Sequence, residues 1–186
     1  MKLKKTNAIL GLLSTLCLLL HVCYSAFAYL TFYYNPLLKY VFSLPFIVLT
    51  CLHAVCGMLS VFLLSDGTRL TQYPRQNRQT LLQRVSAAAI FPLLILHLDT
   101  FSLMQSCAEK GQTLLILLLM LVQVLFYAVV LLHIAVSVTK GFITLGLLSS
   151  DVTRKRMDTV IYVLSAFLLA AASFSVIKGE AAMFIH

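Results

Sequence analysis

Residues 113–139 read TLLILLLMLVQVLFYAVVLLHIAVSVT, 27 consecutive positions without a charged side chain. A helix rises about 1.5 Å per residue, so about 20 apolar residues cross the hydrocarbon core of a bilayer. This stretch is long enough to do so, and it is closed by Lys140. Charge-free runs recur at 6–38, 40–65 and 159–177, and the run 85–108 is broken only by Asp99. The spacing therefore predicts five transmembrane helices near 7–34, 41–64, 83–106, 113–139 and 157–178. The fold class that follows is all-α: one integral membrane bundle covering residues 1–186.

The composition agrees. Of 186 residues, 61% are apolar and 11% charged, against roughly 45–50% and about 25% in soluble domains. Mean hydropathy is +0.97. These values exclude a disordered chain, a nucleic-acid-binding domain and an ordinary soluble enzyme. The net charge of +8 does not point to nucleic acid, because the cations sit at the ends of the apolar runs. With the N-terminus inside, the inner segments hold Lys2, Lys4, Lys5, Arg69, Arg75, Arg78, Arg84, Lys140, Arg154, Lys155 and Arg156, which is 11 of the 14 cations. Lys39, Lys110 and Lys178 fall outside. The positive-inside rule then places the N-terminus in the cytoplasm, the C-terminus outside and the chain in the cytoplasmic membrane.

The first run resembles a signal peptide in its leading lysines and in Ala26-Phe27-Ala28. It is too long for a signal h-region of about 7–15 residues and reads as a retained helix. Cys17, Cys23, Cys51, Cys56 and Cys107 form no CxxC pair and read as small buried hydrophobes. No repeat is visible. The segments between the runs are too short for an aqueous catalytic domain, so the chain's work lies in the bilayer or with a partner.

Four histidines lie deep in four successive runs: His21, His53, His97 and His133. An ionisable side chain at membrane depth is costly and marks a functional position. One per helix over four helices is a pattern that haem ligation explains. A helix bundle holds cofactors with inward-facing side chains, and two imidazoles can hold one haem iron between them. Four histidines supply two b-type haems. Such a haem has no open coordination position and moves electrons. Depth assigns His133 to the inner pair and His21 to the outer pair, and leaves His53 and His97 open between them.

Neighbouring residues suit a large planar cofactor. His133, Ser137 and Lys140 share one helix face. Ser86 lies three turns before His97 on its face, Arg84 marks the inner boundary, and Gly57 is one turn from His53. Arg84 and Lys140 are candidates for haem propionates and equally for snorkelling anchors. Asp99, off the His97 face, is a candidate for proton exchange with a quinone.

The stretches Asn77-Arg78-Gln79-Thr80-Leu81-Leu82-Gln83-Arg84-Val85-Ser86 with His97, and His133 with Gly141-Phe142-Ile143-Thr144-Leu145-Gly146, resemble a known family. So do Ile9-Leu10-Gly11, His21 and Tyr33-Tyr34-Asn35-Pro36. The family is the five-helix dihaem cytochrome b anchor of succinate dehydrogenases and fumarate reductases. The resemblance implies that His21 and His97 hold a distal haem, and that His53 and His133 hold a proximal one. It also implies an iron–sulfur subunit and a FAD-containing catalytic subunit on the cytoplasmic face, and a menaquinone-type quinone near the distal haem. The chain departs from the family at Ala87, where glycine is usual, and at Leu131, where some members carry a glutamate linked to proton movement. Two alternatives remain: a cytochrome b anchor of a hydrogenase or formate dehydrogenase, and a small transporter or proton channel with a histidine relay. Pro45 and Pro92 are the only kink candidates for the latter.

Overall fold

The computed structural model describes residues 2–64 and 74–185, except the side chains of 62–64 and 74–77. Arg69 and His186 lie outside the described residues, as do the side chains of Arg75 and Asn77. The chain is all-helical over this range. It forms α1 (Lys2–Thr31), α2 (Pro36–Leu64), α3 (Pro74–Glu109), α4 (Thr113–Leu145) and α5 (Asp151–Phe184). Each contains a window long and apolar enough to cross a membrane.

The helices overrun the charge-free stretches at most ends. The segments expected to connect the helices, Asp66 to Gln83 and Gly141 to Asp158, are in part helix, because α3 begins at Pro74, α4 runs to Leu145 and α5 begins at Asp151. A lack of charge marks the hydrocarbon layer, whereas helix ends are set by local backbone signals. Proline suits the first helical position, where its missing N–H is not needed, and it opens both α2 and α3. Asn35 caps α2: its side-chain oxygen accepts from the N–H groups of Leu37 and Leu38 at 3.0 and 3.3 Å. Tyr24 holds that turn, donating to the Asn35 carbonyl at 2.8 Å and accepting from its N–H at 3.0 Å. Helix α1 stops at Thr31, short of the expected residue 34, where Phe32 turns left-handed with φ 57°. Gly111 and Gly146, at φ 67° and 79°, end α3 and α4. Glycine takes this conformation without a Cβ clash. Pro45 and Pro92 lie within continuous helix.

Helix α4 is the axis of the bundle: α3, α5 and α1 all run along it, and α1 also packs on α2 and α5. Its buried residues Ile116, Met120, Gln123, Phe126, Leu131, Ala135, Val136 and Thr139 are spaced mostly three and four apart, the spacing that keeps side chains toward the neighbouring helices. Helix α2 has sustained contact with α1 alone. The α3–α4 turn end is sealed by Met104, Cys107, Ile116 and Met120, joined by Ala181 and Phe184 of α5. The outer surface is apolar, with Leu114 73%, Leu37 70% and Phe167 68% exposed. An apolar coat of this extent marks a surface made for lipid. The cysteines correct one expectation: of the five only Cys107 is buried, while Cys23 and Cys51 are exposed. Lipid is as apolar as a core, so a small apolar side chain does not have to be buried.

Candidate cofactor site

The fold sorts the four histidines into two levels. His53 of α2 and His133 of α4 face each other with ring centroids 6.3 Å apart and planes at 66°. His21 and His97 lie nearer the end bearing the α1–α2 and α3–α4 turns, within electrostatic range of each other. Gln123, which holds His97, is ten residues before His133 on α4, so the levels are about 15 Å apart along the axis.

Each ring is held by its Nδ1. His53 Nδ1 lies 3.0 Å from the carbonyl oxygen of Asn7. His133 Nδ1 lies 3.1 Å from the carbonyl oxygen of Gln83 and 3.1 Å from Ser86 Oγ. A carbonyl oxygen only accepts, so both Nδ1 atoms carry the proton and both Nε2 atoms keep a lone pair. His97 Nδ1 is 2.9 Å from Gln123 Oε1, and His21 Nδ1 is 3.2 Å from Ser43 Oγ. Such outer partners orient metal-binding imidazoles and fix their tautomer. Aromatic rings add to the clamp: Phe126 stacks on His97 at 4.8 Å and Phe46 on His21 at 5.9 Å.

The His53–His133 separation suits two imidazoles sharing one metal ion. Two metal–nitrogen bonds of about 2.0 Å and two ring radii of about 1.1 Å sum to about 6 Å. Among the described residues no three His, Cys, Asp or Glu side chains gather as a metal site. At the His53–His133 level the two imidazoles are the donors the geometry brings together.

A second observation bears on the fit. In this chain Thr15, Ser60, Thr100, Thr144 and Ser175 return their hydroxyls to the carbonyl four residues earlier, the usual habit in apolar helices. Ser137, Thr139 and Ser173 do not: their hydroxyls are buried without a partner among the described residues. Ser137 lies one turn from His133, where a polar edge of a bound cofactor can meet it.

The remaining sequence candidates are placed as follows. Ser86 is at the His133 ring, not at His97, although it shares the His97 face of α3. Lys140 donates to Thr80 Oγ1 at 3.0 Å and to Gln83 Oε1 at 3.3 Å, which ties α4 to α3 beside Ser86. Arg84 is within electrostatic range of Lys140. Asp99 is exposed on α3. Gly57 faces Asn7, whose Oδ1 would lie 3.7 Å from an added Cβ. The glycine that makes room for an imidazole is Gly11 of α1, where an added Cβ would lie 2.8 Å from His53 Cε1.

Sequence reading missed the partners of the rings. Asn7, Gln83 and Ser43 carry no signal of their own. Gln123 is the one amide inside the run 113–139 and was legible as an oddity. Glu180 falls three residues beyond the charge-free run 159–177, so that run does not include it. Glu180 is fully buried, at 0% exposure, inside α5, and it accepts hydrogen bonds from Gln123 Nε2 and, at 3.3 Å, from the Tyr29 hydroxyl. No known protein family, curated protein or solved structure matches this chain.

Proposed function

We propose that this chain is the membrane-anchor cytochrome b subunit of a succinate dehydrogenase/fumarate reductase-type complex in the cytoplasmic membrane. It is not an enzyme by itself. In this reading the N-terminus is cytoplasmic, as the distribution of lysine and arginine indicates. The basic face receives an iron–sulfur subunit, which in turn carries a FAD-containing subunit. A quinone of the menaquinone type exchanges electrons at the other end.

His53 and His133 hold one b-type haem and His21 and His97 the other. Haem so bound supplies one-electron transfer, with no coordination position left for oxygen chemistry. The chain's own residues do the positioning. Asn7 O, Gln83 O, Gln123 Oε1 and Ser43 Oγ fix the four rings, and Gly11 lets His53 lie against α1. Ser137, Arg84 and Lys140 are the polar groups at the His133 level that would meet propionates. Asp99, exposed near His97, is the candidate for exchanging protons with a quinone in the lipid.

The observation that carries this reading is the arrangement of the imidazoles. There are two levels of two, each of the four Nδ1 atoms is engaged, and His53 and His133 stand at a shared-metal separation. A dithionite-reduced spectrum of the purified chain tests it. About two b-type haems per chain are expected, and His53→Ala and His133→Ala should each remove the same one. A colourless, stably folded preparation from haem-replete cells would refute the reading. Subunits that co-purify with the chain identify the soluble partner.

A further inference from the structure

A cavity of about 270 Å³ opens at the end of the bundle that carries the α4–α5 turn. Its size is near the low end of the roughly 300–1,000 Å³ typical of small-molecule sites. Helices α3 and α5 flank α4 but barely touch each other, and the cavity lies between them. Thr139 is central among its α4 residues. It is six residues from His133 and so roughly 120° round the helix from the cofactor face. The two sites look in different directions, and Lys140 stands on the border between them.

The lining changes character along the helix axis. Ala135 and Val136 make an apolar floor, and beyond them come Thr139, Lys140, Arg154 and Asp158. The charge-free runs of α4 and α5 stop at this level: Lys140 closes one and Asp158 precedes the other. This is the depth at which a membrane protein meets lipid headgroups. On the other side of the floor, Leu132 and Leu125 continue the Thr139–Val136 line at helical spacing and are exposed. An exposed apolar line therefore leads from the cavity toward the hydrocarbon layer.

The polar groups here have unused capacity. Thr139 is 4% exposed, and its Oγ1 is buried with no partner among the described residues. Lys140 uses two of its three protons on Thr80 and Gln83. Arg154 reaches the exposed Asp151 with one nitrogen at 3.6 Å, a surface pair that contributes little. Asp158 makes no ion pair among the described residues, although Lys140 is within electrostatic range. A ligand that satisfies all four must offer an anion to Lys140, Arg154 and Thr139 and an N–H cation to Asp158. Phosphoethanolamine carries both. A choline has the charge but no N–H donor, and a phosphoglycerol has no cation.

We propose that this cavity holds the headgroup of one phosphatidylethanolamine molecule, with its acyl chains along Leu132 and Leu125. The phosphate accepts from Lys140, Arg154 and the Thr139 hydroxyl, and the ammonium donates to Asp158. The site needs only the membrane span and is independent of the haem reading.

Native mass spectrometry of the purified chain tests this, after delipidation and incubation with phosphatidylethanolamine, phosphatidylcholine or phosphatidylglycerol. One ethanolamine lipid per chain should be retained, with about fivefold preference over the other two, as one half-exposed ion pair provides. Asp158→Asn should erase the preference and leave the melting temperature of the delipidated chain unchanged. Thr139→Val keeps the shape and removes the unpartnered hydroxyl. It should lower retention of all three lipids, while the delipidated chain stays as stable as the wild type. Phosphoethanolamine without acyl chains should not compete. Equal retention of the three lipids would overturn the proposal, and so would a preference that survives in Asp158→Asn. Competition by the chain-free headgroup as effective as that of the whole lipid would also overturn it, because the site would then serve a soluble phosphoester.

Discussion

Replacing Gly11 by alanine adds one methyl group to an exposed-to-neighbour face of α1, and two effects oppose each other. In an unconstrained helix the change stabilises by about 1 kcal/mol, because glycine is a poor helix former. Here the new Cβ would stand 2.8, 3.0 and 3.4 Å from Cε1, Nδ1 and Nε2 of His53. Carbon atoms in contact prefer about 3.5–4.0 Å, so the ring must retreat by roughly 0.7–1.2 Å. Its Nδ1 is bonded to Asn7 O at 3.0 Å, and a retreat of that size stretches the bond beyond the useful range. The bond contributes about 1 kcal/mol. Disturbing an outer partner of a metal-bound imidazole costs about 10–100-fold in metal affinity. Gly11→Ala is therefore expected to lower haem affinity at the His53–His133 level by that factor and to leave the other haem in place. Haem per chain, measured by absorbance after haem extraction, should fall from about two toward one. Full retention of both haems in Gly11→Ala, with thermal stability raised as for an ordinary helical glycine, would refute the argument that this glycine exists for the ring.

Other substitutions separate packing from cofactor binding. A Cβ at Gly179 would lie 2.5 Å from Tyr29 Cδ1 and 3.0 Å from the Tyr29 backbone oxygen, so Gly179→Ala should separate α1 from α5 and lower the melting temperature in detergent. At Gly57 the nearest atom is 3.7 Å away, an ordinary contact, and Gly57→Ala should raise stability by about 0.5–1 kcal/mol in the same assay. Ser137→Ala removes a buried hydroxyl that has no partner among the described residues; the haem-free chain should be no less stable, while haem retention at the His133 level on dilution should fall. Asp99→Asn is expected to slow quinone-linked turnover with both haem spectra intact, and unchanged turnover would remove Asp99 from the quinone site.

The helices and their number could be read from the sequence because the bilayer imposes a one-dimensional criterion. A run of about 20 residues without charge must span as helix, since its backbone polar groups have no other partners in lipid. Four histidines inside those runs stood out for the same reason, as costly groups in an apolar medium. Helix ends were less legible. Pro74, Asp151 and Phe32 set them through local backbone geometry, which a charge-free run does not encode.

The partners of those histidines depended on tertiary structure. Lipid-facing and protein-facing positions are equally apolar in a membrane chain, so hydrophobic periodicity does not tell which face of a helix points inward. The packing of α2 on α1, and of α1 on α4, brought His53 opposite His133. It also put two backbone carbonyls, from Asn7 and Gln83, within reach of their rings; a carbonyl is present at every residue and leaves no mark in the sequence. Glu180 shows the same limit. It lies past the charge-free run 159–177, and only the contacts with Tyr29 and Gln123 put it in the interior.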